Sequence, residues 1–599
     1  MKKILFGFAA LSLASLTFAQ DFDFAGGDDM GSFEESSSPA VAITGEVGAD
    51  VRAWIGSTDE GYDTKGYDSL DSVSKSLVDA NAYAKIDFAY SGDVTDALIK
   101  TKLDAATIKA HPEDVIDEAY AGGSFKEGTF QFKAGKMKEV WGKGDKVHVL
   151  DNFNANDYSD FIFPDYIDRR LGEVMFKATA NLSWDYNVKL EGIYTPWMTA
   201  DRFADSGMLV PASMTTLTET VEGIVKHNAA IDLENSLSGV PDYPSIVDGL
   251  QTMSSFTADE LYEDNLKTLR YGQAGLRLTG SLAGIDWGTS YYYGHYKQPS
   301  ANLGAYIDSV KTGITNAVMA YAADSANQAT IATNYNAEFT AFANYRGNAY
   351  QAAAHAGLSS YVSPVPGDTV HLTDPTAINA AAQKDALYKV CSDHAEEWYA
   401  NGTITVTDKY ALPSLNYDQV QVFGVEAAFV LLDVLNTRFE VAYNLTEDTA
   451  GDNPWVKNNS ISWVVGFDID LPIHNLNLNV QNQGSYILKN DKIKDGAYAE
   501  YDVDYNSDGK YTSNKIIALL SDSFLNEKLK VEVQGIYGIE CKEWMVAPKI
   551  EYNAAEGLFL TARGVYLYSD NENGEFYNFT AGSKNNDKAF FQLSARYQF

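Results

Sequence analysis

At a formal charge of -37 over 599 residues, the chain is too acidic to pair with nucleic acid, whose phosphates would repel it. Its 38 tyrosines, 29 phenylalanines and 9 tryptophans coexist with a mean hydropathy of -0.24, so aromatic groups are abundant in a chain that is polar on average. Two distant cysteines, Cys391 and Cys541, could form one disulfide in an oxidising compartment but exclude a disulfide scaffold.

Lys2 and Lys3 precede an apolar run from Ile4 to Phe18, and Thr17-Phe18-Ala19 offers small residues for cleavage before Gln20. This is the plan of a secretory signal peptide over 1–19. Its removal takes away two lysines and leaves a charge of -37 - 2, or -39. No cysteine follows the run, which argues against a lipoprotein anchor, and residues 20–40 read as an acidic flexible segment. Beyond the leader no apolar stretch reaches about 18 residues, so no transmembrane helix is encoded.

The first strand is the most regular element. Val41, Ile43, Gly45, Val47, Ala49, Val51, Ala53 and Ile55 alternate with Ala42, Thr44, Glu46, Gly48, Asp50, Arg52, Trp54 and Gly56, and charges occupy only the even positions. A strand that crosses a bilayer at a tilt needs about 9–11 residues, and this run exceeds that length. Hairpins follow at 80–91 with 94–103, 115–124 with 128–137, 171–181 with 186–196, and 268–281 with 285–296. Four more lie at 417–431 with 436–446, 460–471 with 475–486, 514–524 with 528–539, and 544–553 with 558–568.

The last strand, 588–599, places Phe591, Leu593, Ala595, Tyr597 and Phe599 on one face and Gln592, Ser594, Arg596 and Gln598 on the other. Alone it favours a barrel strand, with a half-buried C-terminal strand of a soluble sheet as the lesser alternative. The whole set, however, numbers about 16–18 strands, and closing so large a sheet removes the edges it would otherwise expose. Short turns alternate with long connections at 57–79, 138–170, 197–267, 297–416, 487–513 and 569–587, as in an outer-membrane barrel with short periplasmic turns. The fold class expected is therefore all-β, a transmembrane antiparallel barrel over 41–599, with long and partly helical extracellular loops. Helices are expected in the alanine-rich windows of 297–416, and around Thr218 to His227 and Ala258 to Leu266.

Strand parity turns Arg52, Lys85, Glu173, Lys177, Glu191, Arg277, Glu426, Arg438, Glu440, Asp468, Arg563 and Arg596 towards the lumen. Acids and bases on that wall are nearly balanced, so the excess acid belongs to the loops and the leader, and a cation-favouring mouth is expected.

Catalytic and metal motifs are scarce. Asp504, Asn506, Asp508 and Gly509 match the first half of an EF-hand loop, but Lys515 stands where the bidentate glutamate belongs, leaving a weak calcium candidate. The eight histidines show neither HExxH nor zinc-ligand spacing, and there is no G-x-S-x-G elbow, so no enzyme and no cofactor is expected. A dispersed barrel hydrolase using His295 is the remaining enzymatic alternative.

The cleavable leader, the alternation of long and short connections and the aromatic terminal strand together resemble bacterial outer-membrane porins. A local likeness lies in Gly135-Lys136, Trp141-Gly142, Asp145, Asp151, Asn154 and Asp157, similar to a strand-to-loop signature of porin-like proteins that usually has Asn-Pro where this chain has Asn154-Ala155. The resemblance implies diffusion of small hydrophilic solutes through an aqueous lumen. It also implies an inward-folded loop 138–170, with Asp145, Lys146, Asp151, Asp157, Asp160, Asp165, Arg169 and Arg170 as constriction candidates; the alternative is an external polar loop. Outer-membrane lipids, barrel-assembly machinery reading the C-terminal strand, small solutes and a homo-oligomer are the implied partners, in a diderm outer membrane. The runner-up function is a barrel-anchored adhesin or receptor acting through 197–267 and 297–416.

Overall fold

The computed structural model describes residues 40–55, 78–204 except 146, Leu209, 220–232 except 222, 266–579 except 497, and 589–599. The expected leader, the segment 20–39, most of the 57–79 connection and the 258–265 helix lie outside the described residues. These residues fall into two units: a barrel formed from the chain up to 219 together with 257–301 and 414–599, and a helical unit over 220–256 and 302–413.

Eighteen antiparallel strands form the barrel, numbered here in chain order. They are β1 Ala40–Ile55, β2 Val78–Ser91, β3 Thr95–Asp104, β4 Ile116–Phe125, β5 Phe130–Met137, β6 Glu173–Ser183, β7 Val188–Thr195, β8 Gln273–Leu282 and β9 Ile285–His295. The second half comprises β10 Gln419–Leu431, β11 Leu435–Thr446, β12 Ser460–Asp470, β13 Asn477–Ile487, β14 Thr512–Phe524, β15 Leu529–Gly538, β16 Glu543–Ala555, β17 Leu558–Tyr568 and β18 Ala589–Gln598. Each strand pairs with its sequence neighbour, and β1 pairs with β18 through Ala49↔Ala595 and Ala53↔Phe591, so the sheet closes. The expected strand 268–281 starts at Gln273, because Leu269–Tyr271 forms a 3-10 turn ahead of it.

Side-chain direction follows the expected parity. On β1 the odd residues Val41, Ile43, Val47, Val51 and Ile55 are exposed while Arg52 and Trp54 are buried; on β12 Val465 and Phe467 are exposed while Val464 is buried. An exposed apolar face around a closed strand ring is the arrangement that hydrocarbon surroundings stabilise, since closure leaves no strand edge whose backbone polar groups lack a neighbouring strand. No described helix is long and apolar enough to cross a membrane.

The helical unit contains Gly304–Ala323, Ser325–Asn334, Asn336–His355, Pro375–Asp393 and Ala395–Ala400. It has its own apolar centres, one around Val318, Ile331, Val390 and Trp398 and another around Tyr350, Ile378 and Ala382. Residues 220–232 are helical apart from 222, which is not described. Both cysteines are free thiols, Cys391 in the helical unit and Cys541 in the barrel unit, which corrects the expected option of a disulfide.

Candidate functional site: a loop folded into the lumen

The connection between β5 and β6 does not stand outside the barrel. Its side chains meet inward-facing groups on strands all around the wall, which requires the segment 138–172 to lie within the lumen. Apolar packing supplies much of the reason. Trp141, Leu150 and Phe153 of the loop are buried against Met175 on β6, Ile193 on β7, Tyr292 on β9, Val420 and Val422 on β10 and Ala442 on β11. That arc of the wall is inward-facing yet apolar, so it gains by being covered. Gly275 on β8 permits the close approach: a Cβ there would sit 2.7 Å from the Trp141 ring and 2.8 Å from Phe153.

The second half of the loop packs on the far wall. Phe163 lies edge-on to Phe590 of β18 with centroids 4.9 Å apart, and Trp54 of β1 lies at the same distance from Phe590. Phe161 meets Phe579 of the β17–β18 connection at 5.0 Å. The loop therefore crosses the lumen from one wall to the other.

Charged contacts fix it between those walls. Arg52 of β1 donates both terminal nitrogens to Asp160, at 2.6 and 2.9 Å. Lys85 of β2 reaches Asp168 at 2.8 Å, Lys177 of β6 reaches Glu139 at 2.8 Å, and Arg563 of β17 donates to the Phe163 carbonyl at 2.9 Å. Asp145 pairs with Arg438 of β11 and accepts from Asn479 of β13 at 2.8 Å. The Trp141 indole donates to Glu191 of β7 at 2.5 Å. Glu440 of β11, fully buried, accepts the backbone N–H groups of Lys143 at 2.7 Å, Gly144 at 2.6 Å and Val149 at 2.8 Å, with His148 Nδ1 at 3.0 Å.

The loop is also closed upon itself. Asn154, 1% exposed, donates to the carbonyls of Met137 and Leu171 at 2.9 and 2.8 Å, which joins the end of β5 to the approach to β6. Its side-chain oxygen accepts the Glu139 N–H at 2.9 Å. Arg170 reaches Asp151 at 2.6 Å and the Tyr166 hydroxyl at 2.9 Å. Burial opposes the charge on Arg170, but the Asp151 carboxylate and the Tyr166 oxygen hold its guanidinium above the ordinary range.

Acidic groups of the loop titrate differently. Burial, reinforced by the nearby Asp168 carboxylate, pushes Asp165 up to about 6. Partial burial also opposes charge on Asp168, whose side chain stays 41% exposed, yet Lys85 overrides it and holds Asp168 at about 2.

Of the constriction candidates, Asp145 and Asp160 meet wall cations. Asp151, Arg169 and Arg170 do not face a pore: all three side chains are buried inside the loop, Arg169 over the Tyr158 ring. Asp157 pairs with Arg202 at 2.9 Å on the following connection, and Lys146 lies outside the described residues. The alternative of an external polar loop does not hold, since Trp141, Phe153, Phe161, Ile162 and Phe163 of the loop are buried. Asp168, Glu139 and His148 were missed, because loops carry no period that would orient a side chain.

The wall candidates all take inward positions. Besides those already paired with the loop, Arg277 meets Glu426 at 2.5 Å, Arg596 lies 3.5 Å from both Glu46 and Glu551, Asp468 lies 3.3 Å from Arg438, and Glu173 accepts the Thr199 N–H at 2.5 Å. The calcium candidates have other partners. Asp504 accepts the Asn458 N–H at 2.7 Å, Asn506 caps the turn to Asp508 at 3.0 Å, and Asp508 accepts from Asn571 at 2.7 Å. His295 lies against Tyr271, with ring centroids 4.9 Å apart and planes inclined by 60°.

Fold and site together define a closed transmembrane β-barrel with a loop folded into its lumen. No family model and no curated protein matches the sequence. Among solved structures, the chain is similar to a BenF-like porin from Pseudomonas fluorescens at 8% identity and a TM-score of 0.39, over 94% of this chain and 98% of that one. It is similar to OccAB4 of Acinetobacter baumannii at 9% identity and a TM-score of 0.38, over 93% and 98%. The outer-membrane channel DcaP of Acinetobacter baumannii gives 8% identity and a TM-score of 0.34, over 95% and 99%.

Proposed function

We propose that the protein is an outer-membrane porin through which small hydrophilic solutes diffuse, with the loop 138–172 narrowing the passage. The observation that carries this reading is a closed ring of eighteen strands whose inward face bears paired charges and is crossed by a loop joined to it. A barrel of about 16–18 strands is wide enough to hold an aqueous channel, and the loop is the element that reduces its bore. Lys85, Asp168, Arg438 and Asp145 keep a quarter or more of their side-chain surface accessible, so they are the charges a passing solute would meet.

The short turns would face the periplasm and the long connections the exterior. Liposome swelling with a size series of uncharged sugars tests the reading. Swelling should be fast for the smallest members and fall steeply with size; equal exclusion of every member by folded barrel would contradict it.

A further inference from the structure

In the other polar loop–wall contacts named above each wall side chain meets a single loop residue, whereas Glu440 gathers several. Its carboxylate is fully buried, sits on the inner face of β11 and collects three backbone N–H groups of the loop plus the His148 ring. Consecutive N–H groups turned to one point form an anion-binding nest, and here the anion belongs to the barrel wall. The loop is shaped for that occupant. Gly142, at φ +121°, passes so close that a Cβ would lie 2.1 Å from the carboxylate Oε1 and 2.8 Å from His148 Nδ1. Strand parity offers no reason for a carboxylate at this level: Glu440 stands directly across from Glu426 on β10 and Val464 on β12, neither of which carries positive charge.

We propose that Glu440 is the positioning residue of the constriction, a wall anion seated in a nest formed by the N–H groups of Lys143, Gly144 and Val149 that fixes how far the loop stands from the β11 wall. The inference rests on the porin reading for its consequence, though not for the contact itself. Three N–H groups around a carboxylate form charge-assisted hydrogen bonds, and removing the carboxylate leaves them orphaned in a buried place. The loop must then move until they find water or other partners.

The test uses the full-length refolded protein and three variants: Glu440→Ala, Glu440→Gln, which keeps volume but sets an amide NH2 or a neutral oxygen against the N–H groups, and Gly142→Ala, which disturbs the same contact from the loop side. Hydrogen–deuterium exchange of the peptide spanning 141–150 reads the nest, and single-channel conductance reads the bore. Each variant should lose exchange protection in that peptide and shift to higher conductance while keeping folded-barrel gel mobility, and Glu440→Ala combined with Gly142→Ala should shift no further than either alone. Unchanged protection in Glu440→Ala overturns the nest whether or not the barrel conducts. Lost protection with wild-type conductance overturns the positioning role, whereas a wild-type barrel that passes no current fails the porin reading and leaves the nest to be judged by exchange alone.

Discussion

Arg170 and Asp151 show how a single residue pair holds the loop together. Both side chains are 1% exposed and lie 2.6 Å apart. Removing one partner strands the other as an uncompensated buried charge, which typically costs about 3–5 kcal/mol. Asp151→Ala should therefore lower the urea midpoint of the refolded protein markedly, and a midpoint equal to wild type would show that the pair is dispensable. Asp165 makes a pH prediction of determinate sign. Its pKa is raised to about 6, so the folded loop holds the proton more tightly than the unfolded chain does. The stability this provides is full below the ordinary carboxylate range and is lost as pH rises through about 6, where the loop gains one negative charge. Asp502, Asp504 and Glu543 of the same barrel unit are also raised, to about 7, about 6 and about 7. Reversal potentials in a salt gradient should accordingly shift towards cation preference between about pH 5 and pH 7, and Asp165→Asn should reduce that shift by its own share; an unchanged shift in the variant would contradict the assignment.

At the scale of elements, the strands were legible because alternation with period two is imposed by the pleat wherever one face meets hydrocarbon. Val465 is half exposed on the outer face of β12, opposite Phe439 and Asn482 on its neighbours. Val465→Arg should cost roughly 2–4 kcal/mol in assembly, whereas Ser462→Arg, three residues away on the inner face, should leave assembly nearly intact; equal folded yields would refute the parity. Gly466 is a poorer inner-face control than its parity suggests, since a Cβ there would fall 2.5 Å from Gln481 Cγ. The loop 138–172 was legible only in outline. Trp141, Gly142, Asp145, Asp151 and Asn154 stand out as a group in the sequence, and each has a definite contact. Their partners were not, because Glu440 and His148 are separated by 292 residues and nothing local in either sequence marks the other. The same limit explains why Arg169 and Arg170 read as pore charges: a loop sequence lists charges without saying which of them pair inside it.

For the whole molecule, closure of β18 on β1 and the apolar outer surface account for a barrel that sits in a membrane, and the inward loop accounts for a bore narrower than the ring of strands. The alanine-rich windows rightly indicated helices, and those of 302–413 form a unit with cores of their own. Such a unit could not be inferred from composition, since alanine content predicts helix but not which helices pack together. The central claim is that water and small ions cross this barrel. Planar-bilayer recording of the refolded full-length protein tests it most directly: discrete, ohmic conductance steps that scale with bulk salt are the predicted result, and a verified folded barrel that inserts yet passes no current would contradict it.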